Sequence, residues 1–146
     1  MFGICLWFQL IPSHNVNNLI KNISNNFNTQ SYLGHLTMEY NLQNNINLNN
    51  YILDDFHKID KPYKTQNKNF YAIQQDYLLN NDINKRYHIS IIYKQNKDFS
   101  NEELNYLLNI DLDNVIKKKD IIIKVMNCNS LFPNDWKDIT NNYLLK

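Results

Sequence analysis

The chain has 146 residues, 43% hydrophobic and 20% charged, with a formal net charge of +1. One domain, residues 1–146, fits that length, and the near-neutral charge disfavours both a strongly basic nucleic-acid binder and an acidic tail. Two glycines, Gly3 and Gly34, leave no dinucleotide or P-loop motif, and two cysteines, Cys5 and Cys128, are too few for a disulfide scaffold or a cysteine-based zinc site.

The chain holds 28 Asn, and 14 Lys against a single Arg, Arg86. AT-rich codons account for that bias without any function. Mean hydropathy is −0.56, and no apolar run reaches the length of a membrane-spanning helix. The apolar start, Phe2 to Ile11, lacks the positive region and small-residue cleavage site of a signal peptide. The expectation is a cytoplasmic or nuclear protein with reduced, buried thiols and no membrane anchor.

Phe2–Leu10 is nearly continuously apolar, as a central strand buried on both faces would be. Pro12 and Ser13 end it, and Ser13 is the expected cap of a helix whose Val16, Leu19, Ile20, Ile23 and Phe27 form one apolar stripe. In His35–Leu42, Leu36, Met38, Tyr40 and Leu42 alternate with His35, Thr37, Glu39 and Asn41. Period two assigns the first set to a core face and the second to an open polar face. Asn44–Asn50 reads as a loop. Tyr51–Asp60 fits a helix or a bulged strand, and Lys61-Pro62 is expected to break it.

Asn69–Gln75 reads as a strand and Tyr87–Lys94 as a strong one. Ser100 with Glu103 forms a capping box ahead of Leu104, Leu107 and Leu108, which predicts a second helix. Asp120–Cys128 is a strand with three consecutive Ile, and Trp136–Leu145 a candidate last strand. The fold class expected is α+β: two pseudo-symmetric lobes, each an antiparallel sheet with an outer helix, enclosing a central groove.

Two short motifs carry chemistry: His35-Leu36-Thr37-Met38 and His88-Ile89-Ser90-Ile91. In each, an imidazole and a hydroxyl stand two apart on a predicted strand and so share a face. Two histidines across a groove suit in-line phosphodiester cleavage, one accepting a proton while the other donates one. Thr37 and Ser90 would hydrogen-bond the non-bridging oxygens as charge develops. No metal or cofactor is required. A His–Thr pair also occurs on plain solvated sheet faces. Zinc on His35 and His88 would lack evident further ligands.

At these residues the chain resembles the two-histidine (2H) phosphoesterases, whose signature is a pair of His-hydrophobic-(Thr/Ser)-hydrophobic motifs. It looks most like the small eukaryotic-type cyclic phosphodiesterases. Leu6-Trp7 followed by Pro12 resembles their opening strand, and His88-Ile89-Ser90-Ile91-Ile92-Tyr93 their second motif. Trp136 with Tyr143-Leu144 resembles their closing strand. The family often has Pro before each His, where this chain has Gly34 and Tyr87, and the segment from Gln75 to His88 is short for the helix expected there.

The resemblance implies His35 and His88 as catalytic residues and Thr37 and Ser90 as phosphate-binding ones. Tyr93 matches a family Tyr at the pocket edge. Simple alternation from His88 puts it on the opposite face, and it reaches the groove only if the strand twists or bulges. Trp7, Tyr40 and Phe2 are candidates to stack on a base, with the core as the competing place for each.

The substrate implied is a small nucleotide carrying a cyclic phosphate, either ADP-ribose 1″,2″-cyclic phosphate or a nucleoside 2′,3′-cyclic phosphate. The same chemistry on 2′,5′-oligoadenylate or cyclic dinucleotide messengers is the alternative, in which case the protein would serve immune evasion. The loops Asn41–Asn50 and Tyr77–Arg86 would decide between them. A non-catalytic nucleotide or RNA-end binder is the second alternative. Lys117-Lys118-Lys119 reads as a solvated loop, long nucleic acid is not an expected partner, and a monomer is expected.

Overall fold

The computed structural model describes residues 3–43, 47, 51, 53–130 and 135–143. The architecture is α+β. Eight strands form one antiparallel, curled sheet in the order β6-β3-β4-β5-β2-β1-β7-β8. They are β1 (Ile4–Leu10), β2 (His35–Glu39), β3 (Phe56–Gln66), β4 (Tyr71–Leu79), β5 (Arg86–Lys94), β6 (Val115–Ile116), β7 (Ile121–Asn127) and β8 (Lys137–Asp138). The helices are α1 (Asn15–Phe27), α2 (Asn101–Leu107) and the single turn α3 (Thr140–Tyr143).

One face of the central strands is apolar because the helices cover it. That face carries Phe8, Leu10, Leu36, Ile73, Ile89 and Ile91. Val16, Ile20 and Ile23 of α1 and Leu107 of α2 pack onto it. Each such side chain contributes roughly 1.5–3 kcal/mol on burial. The opposite face gathers Cys5, Trp7, Met126 and Cys128, with Trp136 against them. α1 and α2 thus occupy one side and leave the other free for a site.

Several expectations are corrected. The N-cap of α1 is His14, whose Nδ1 accepts from the Val16 N–H at 3.1 Å, and Ser13 does not serve. Pro62 does not end β3. The register passes from Ile59↔Asp76 to Tyr63↔Gln74, so Asp60, Lys61 and Pro62 bulge opposite Gln75 alone. Asp60 takes a left-handed φ of 60°, and a proline needs no ladder donor at a bulge. The buried Gln75 side chain closes this bulge, its Nε2 lying 3.0 Å from the carbonyls of both Ile59 and Asp60.

Of the candidate strand Trp136–Leu145, the described part, 136–143, holds β8 and α3, with Asp138 accepting from the Thr140 N–H at 2.9 Å where the chain turns, and 144–145 lie outside the described residues. β2 stops at Glu39, where Asn41 has a φ of 53°. Tyr40 therefore does not continue the core face of that strand and is half exposed. The stretch with two readings, Tyr51–Asp60, becomes strand from Phe56 onward. Between β4 and β5 stands a tight hairpin turn with Asn80 and Asn81 at positive φ, in place of a helix. Lys118–Asp120 form one 3-10 turn on the surface.

No helix among the described residues is long and apolar enough to cross a membrane.

Candidate functional site

The two His motifs lie on β2 and β5, which are neighbours at the middle of the sheet, three strands to either side. They pair antiparallel with Leu36 opposite Ile89. Continued one residue each way, that register sets His35 across from Ser90 and Thr37 across from His88. An antiparallel pair has a local two-fold axis. Here it exchanges His35 with His88 and Thr37 with Ser90. Leu36 and Ile89 both point into the helix-covered core, so the four polar side chains emerge on the other face.

There they line one cavity of about 270 Å³. Trp7, Tyr40, Phe70, Tyr93 and Trp136 supply its aromatic walls. Gln74 and the end of β3 with Asn67 (Thr65–Asn67) add polar groups, and Cys5 and Cys128 line it beside Trp7.

His35 is buried, and its position is set by the turn before β2. Asn17 of α1 donates from Nδ2 to the Ile11 carbonyl at 2.7 Å and accepts from the Gly34 N–H at 2.6 Å. This carboxamide clips the chain to the end of β1. A Cβ on Gly34 would stand 3.2 Å from Asn17 Oδ1, Ile20 Cδ1 and Leu10 Cδ1, so the close approach favours glycine. His35 Nδ1 lies 3.0 Å from the Leu33 carbonyl. A carbonyl can only accept, so Nδ1 carries the proton and Nε2 keeps its lone pair. Burial pulls the imidazole down to about 4, with His88 pushing the same way and the Leu33 contact opposing.

His88 is half-buried. Burial lowers its pKa too, but the carboxylate of Asp76 opposes the shift. Asp76 faces it directly in the β4–β5 register.

Tyr93 reaches the cavity because β5 bulges. The register passes from Gln74↔Ser90 to Ile73↔Ile92, so Ile91 is the extra residue. Ile91 and Ile92 both enter the core, which turns Tyr93 onto the face of Ser90. Its phenol contacts Ser90, and burial holds its pKa well above the usual tyrosine range. Tyr32, absent from the sequence-based set, packs 5.2 Å from Tyr93 and 6.3 Å from His35 by ring centroids. Its hydroxyl donates to the Ser90 carbonyl at 3.0 Å.

Trp7 stacks on His35, and Trp136 stands edge-on to both rings. Tyr40 lines the cavity with its phenol against Thr37. Phe2 lies outside the described residues.

The structure therefore brings together His35, Thr37, His88, Ser90, Tyr93, Trp7 and Tyr40. Sequence reading missed Tyr32, Gln74 and Asp76. The last two had a signal, being polar side chains inside a mostly buried strand, but alternation alone does not say what they face. Among the described residues no group of three or more His, Cys, Asp or Glu is placed to hold a metal ion. No protein-family model, curated protein or solved structure matches this chain.

Proposed function

We propose that the protein is a phosphodiesterase of the two-histidine type that hydrolyses a cyclic phosphate on a small nucleotide. The observation that carries this reading is the two-fold arrangement of His35/Thr37 and His88/Ser90 in one aromatic-walled cavity. In it the sheet is two pseudo-symmetric lobes, β2-β1-β7-β8 with α1 and β5-β4-β3-β6 with α2, meeting at the Leu36–Ile89 pair. The phosphate sits over that pair, and an aromatic wall holds the nucleoside. The nucleotides favoured are ADP-ribose 1″,2″-cyclic phosphate and nucleoside 2′,3′-cyclic phosphates.

The chemistry follows from the two environments. His35 is neutral at physiological pH with Nε2 unprotonated, so it acts as general base toward water. A water oxygen bonds to phosphorus while its proton passes to His35. The ring P–O bond breaks, and the departing oxygen takes a proton from His88. Thr37 and Ser90 donate to the non-bridging oxygens, where charge builds. The product is a phosphomonoester.

The test is a substrate panel in EDTA, comparing wild type with His35→Ala and His88→Ala. The panel holds the small cyclic phosphates, 2′,5′-oligoadenylate and 2′,3′-cyclic GMP-AMP. Turnover of the small cyclic phosphates that falls at least 100-fold in each variant is expected from loss of one acid–base group. Wild-type rates in either variant would sink the assignment. Turnover of the oligomers or the cyclic dinucleotide alone would keep the chemistry and replace the substrate.

A further inference from the structure

Asp76 is a buried carboxylate and the one charged residue of β4, and it lies outside the cavity lining. Burying an ionised carboxylate costs several kcal/mol unless it is paired and hydrogen-bonded. Asp76 has such partners. Arg86, the only arginine in the chain, donates from Nε to Asp76 Oδ2 at 2.5 Å and from Nη2 to Asp60 Oδ2 at 2.7 Å. The hydroxyl of Tyr63 donates to Asp76 Oδ1 at 2.8 Å. Tyr63 reaches it because the β3 bulge turns that residue toward β4, and Asp60, in the same bulge, anchors the far side of the guanidinium. An elaborate local structure thus fixes one carboxylate beside one histidine.

In the antiparallel register Asp76 stands directly across from His88. Such neighbours share a face, with Cβ atoms about 4.5–5.5 Å apart. We propose that Asp76 is the positioning residue for His88: its carboxylate, clamped by Arg86 and Tyr63, stands behind the imidazole and holds it as the proton-donating member of the pair. This rests on the phosphodiesterase reading for its purpose, but not for its geometry. Among the described residues no such carboxylate acts on His35. Its ring is held by Trp7 and the Leu33 carbonyl instead. The local two-fold therefore relates the two histidines in place but not in surroundings, and that difference assigns their roles.

The groups acting on His88 come from four strands. β4 supplies Asp76, β5 itself supplies Arg86, β3 supplies Tyr63 and Asp60, and β2 supplies His35. Tyr63 is pushed up to about 12 by burial and then by Asp76, so it stays a donor throughout the working range. Of these groups Asp76 is the nearest anion, and it favours the charged imidazole against the burial that disfavours it. Arg86 offsets part of that field.

Two substitutions must therefore act in opposite directions. NMR titration of the His88 ring, assigned by comparison with His88→Gln, is the measurement. Asp76→Asn should lower its midpoint by about one pH unit, and Arg86→Gln should raise it. The alkaline limb of the kcat/KM profile, which reports loss of the acid, should follow both shifts. A merely structural role for Asp76 would lower activity or stability without moving either midpoint.

An unmoved His88 midpoint in folded Asp76→Asn would overturn the proposal. If that variant does not fold, an unmoved or lowered midpoint in Arg86→Gln overturns it. Absence of turnover by the wild type on every phosphodiester would instead remove the phosphodiesterase reading, and the titration would still decide whether Asp76 sets the charge of His88.

Discussion

The imidazole of His35 lies flat on the indole of Trp7, ring centroids 3.5 Å apart and planes 9° from parallel. The contact follows from the register, in which Trp7 pairs with Thr37 while His35 pairs with Gln9 one step along the same face. It gives the candidate base a rigid orientation that the hydrogen bond to Leu33 would not fix alone. It also makes the protein its own reporter. A protonated imidazole against an indole quenches its fluorescence by accepting an excited electron, whereas the neutral ring does so weakly. Trp emission of the folded protein should fall on acidification, with a midpoint near 4. The drop should vanish in His35→Ala. A midpoint near 6.5, the value of a free imidazole, would mean that His35 is not buried as described.

The same depressed midpoint makes a stability prediction that needs no substrate. The folded His35 titrates at about 4, against about 6.5 when unfolded. Between those values the unfolded chain binds a proton that the folded chain refuses. Stability must therefore fall as the pH drops through about 6.5, and the loss levels off below about 4. The full span of this one group is on the order of 3 kcal/mol. Other groups titrate in the window, so the informative quantity is a difference. Urea denaturation at pH 7 and pH 4.5 should show a smaller decrease for His35→Asn than for wild type. Equal decreases would place the acid sensitivity elsewhere.

Gly34, just before His35, stands in surroundings that leave no place for a proline ring. Its N–H donates to Asn17, and its Cα faces Ile20 and Leu10 with no room to spare. Proline would remove the donor and add atoms to a filled space. Gly34→Pro should lower stability by about 1–3 kcal/mol, mainly by leaving the buried Asn17 oxygen unpaired. Asn17→Leu should cost a similar amount and leave the Ile11 carbonyl and the Gly34 N–H without this partner. Thermal melts of the two single variants and the double variant test it. If the clip is one unit, the double variant should lose much less than the two losses added.

How far the site could be read beforehand depended on local regularity. His35/Thr37 and His88/Ser90 were legible because both pairs sit on regular stretches of strand, where period two places side chains without further information. Tyr93 was not, since one extra residue at Ile91 reverses its face, and two isoleucines in a row read the same with or without a bulge. Pro62 misled for a related reason. Proline ends regular strands, but a three-residue bulge sealed by Gln75 lets β3 continue. Tyr40 looked like core while alternation held, and Asn41 at positive φ ends that alternation. The core was easier to read, because β1, α1, β5 and the capping box of α2 follow from local pattern alone. The match of Asp76 to His88 rests on the pairing of two strands, which no single strand pattern contains.

Cys5 and Cys128 present a last test, because they are buried against solvent yet line the cavity. The pair belongs to β1 and the segment just after β7, joined by the Cys128 N–H to the Gly3 carbonyl at 2.9 Å. The two thiols interact with each other, and that contact with burial holds the Cys128 thiol far above its ordinary range. The pair shares what charge it gains, with Cys5 the more acidic partner. Cys5 lines the cavity, so a small thiol reagent that enters the space a ligand would fill meets it. Alkylation by iodoacetamide should therefore be slow, should modify Cys5 before Cys128, and should slow further when a bound nucleotide occupies the site. Peptide mapping by mass spectrometry gives both rates. Cys5→Ser removes the first site of modification and should retain turnover within a fewfold, since neither thiol enters the proposed chemistry. Modification at an equal rate with saturating nucleotide would place the ligand away from Trp7 and Cys5, and so away from the wall on which His35 is stacked.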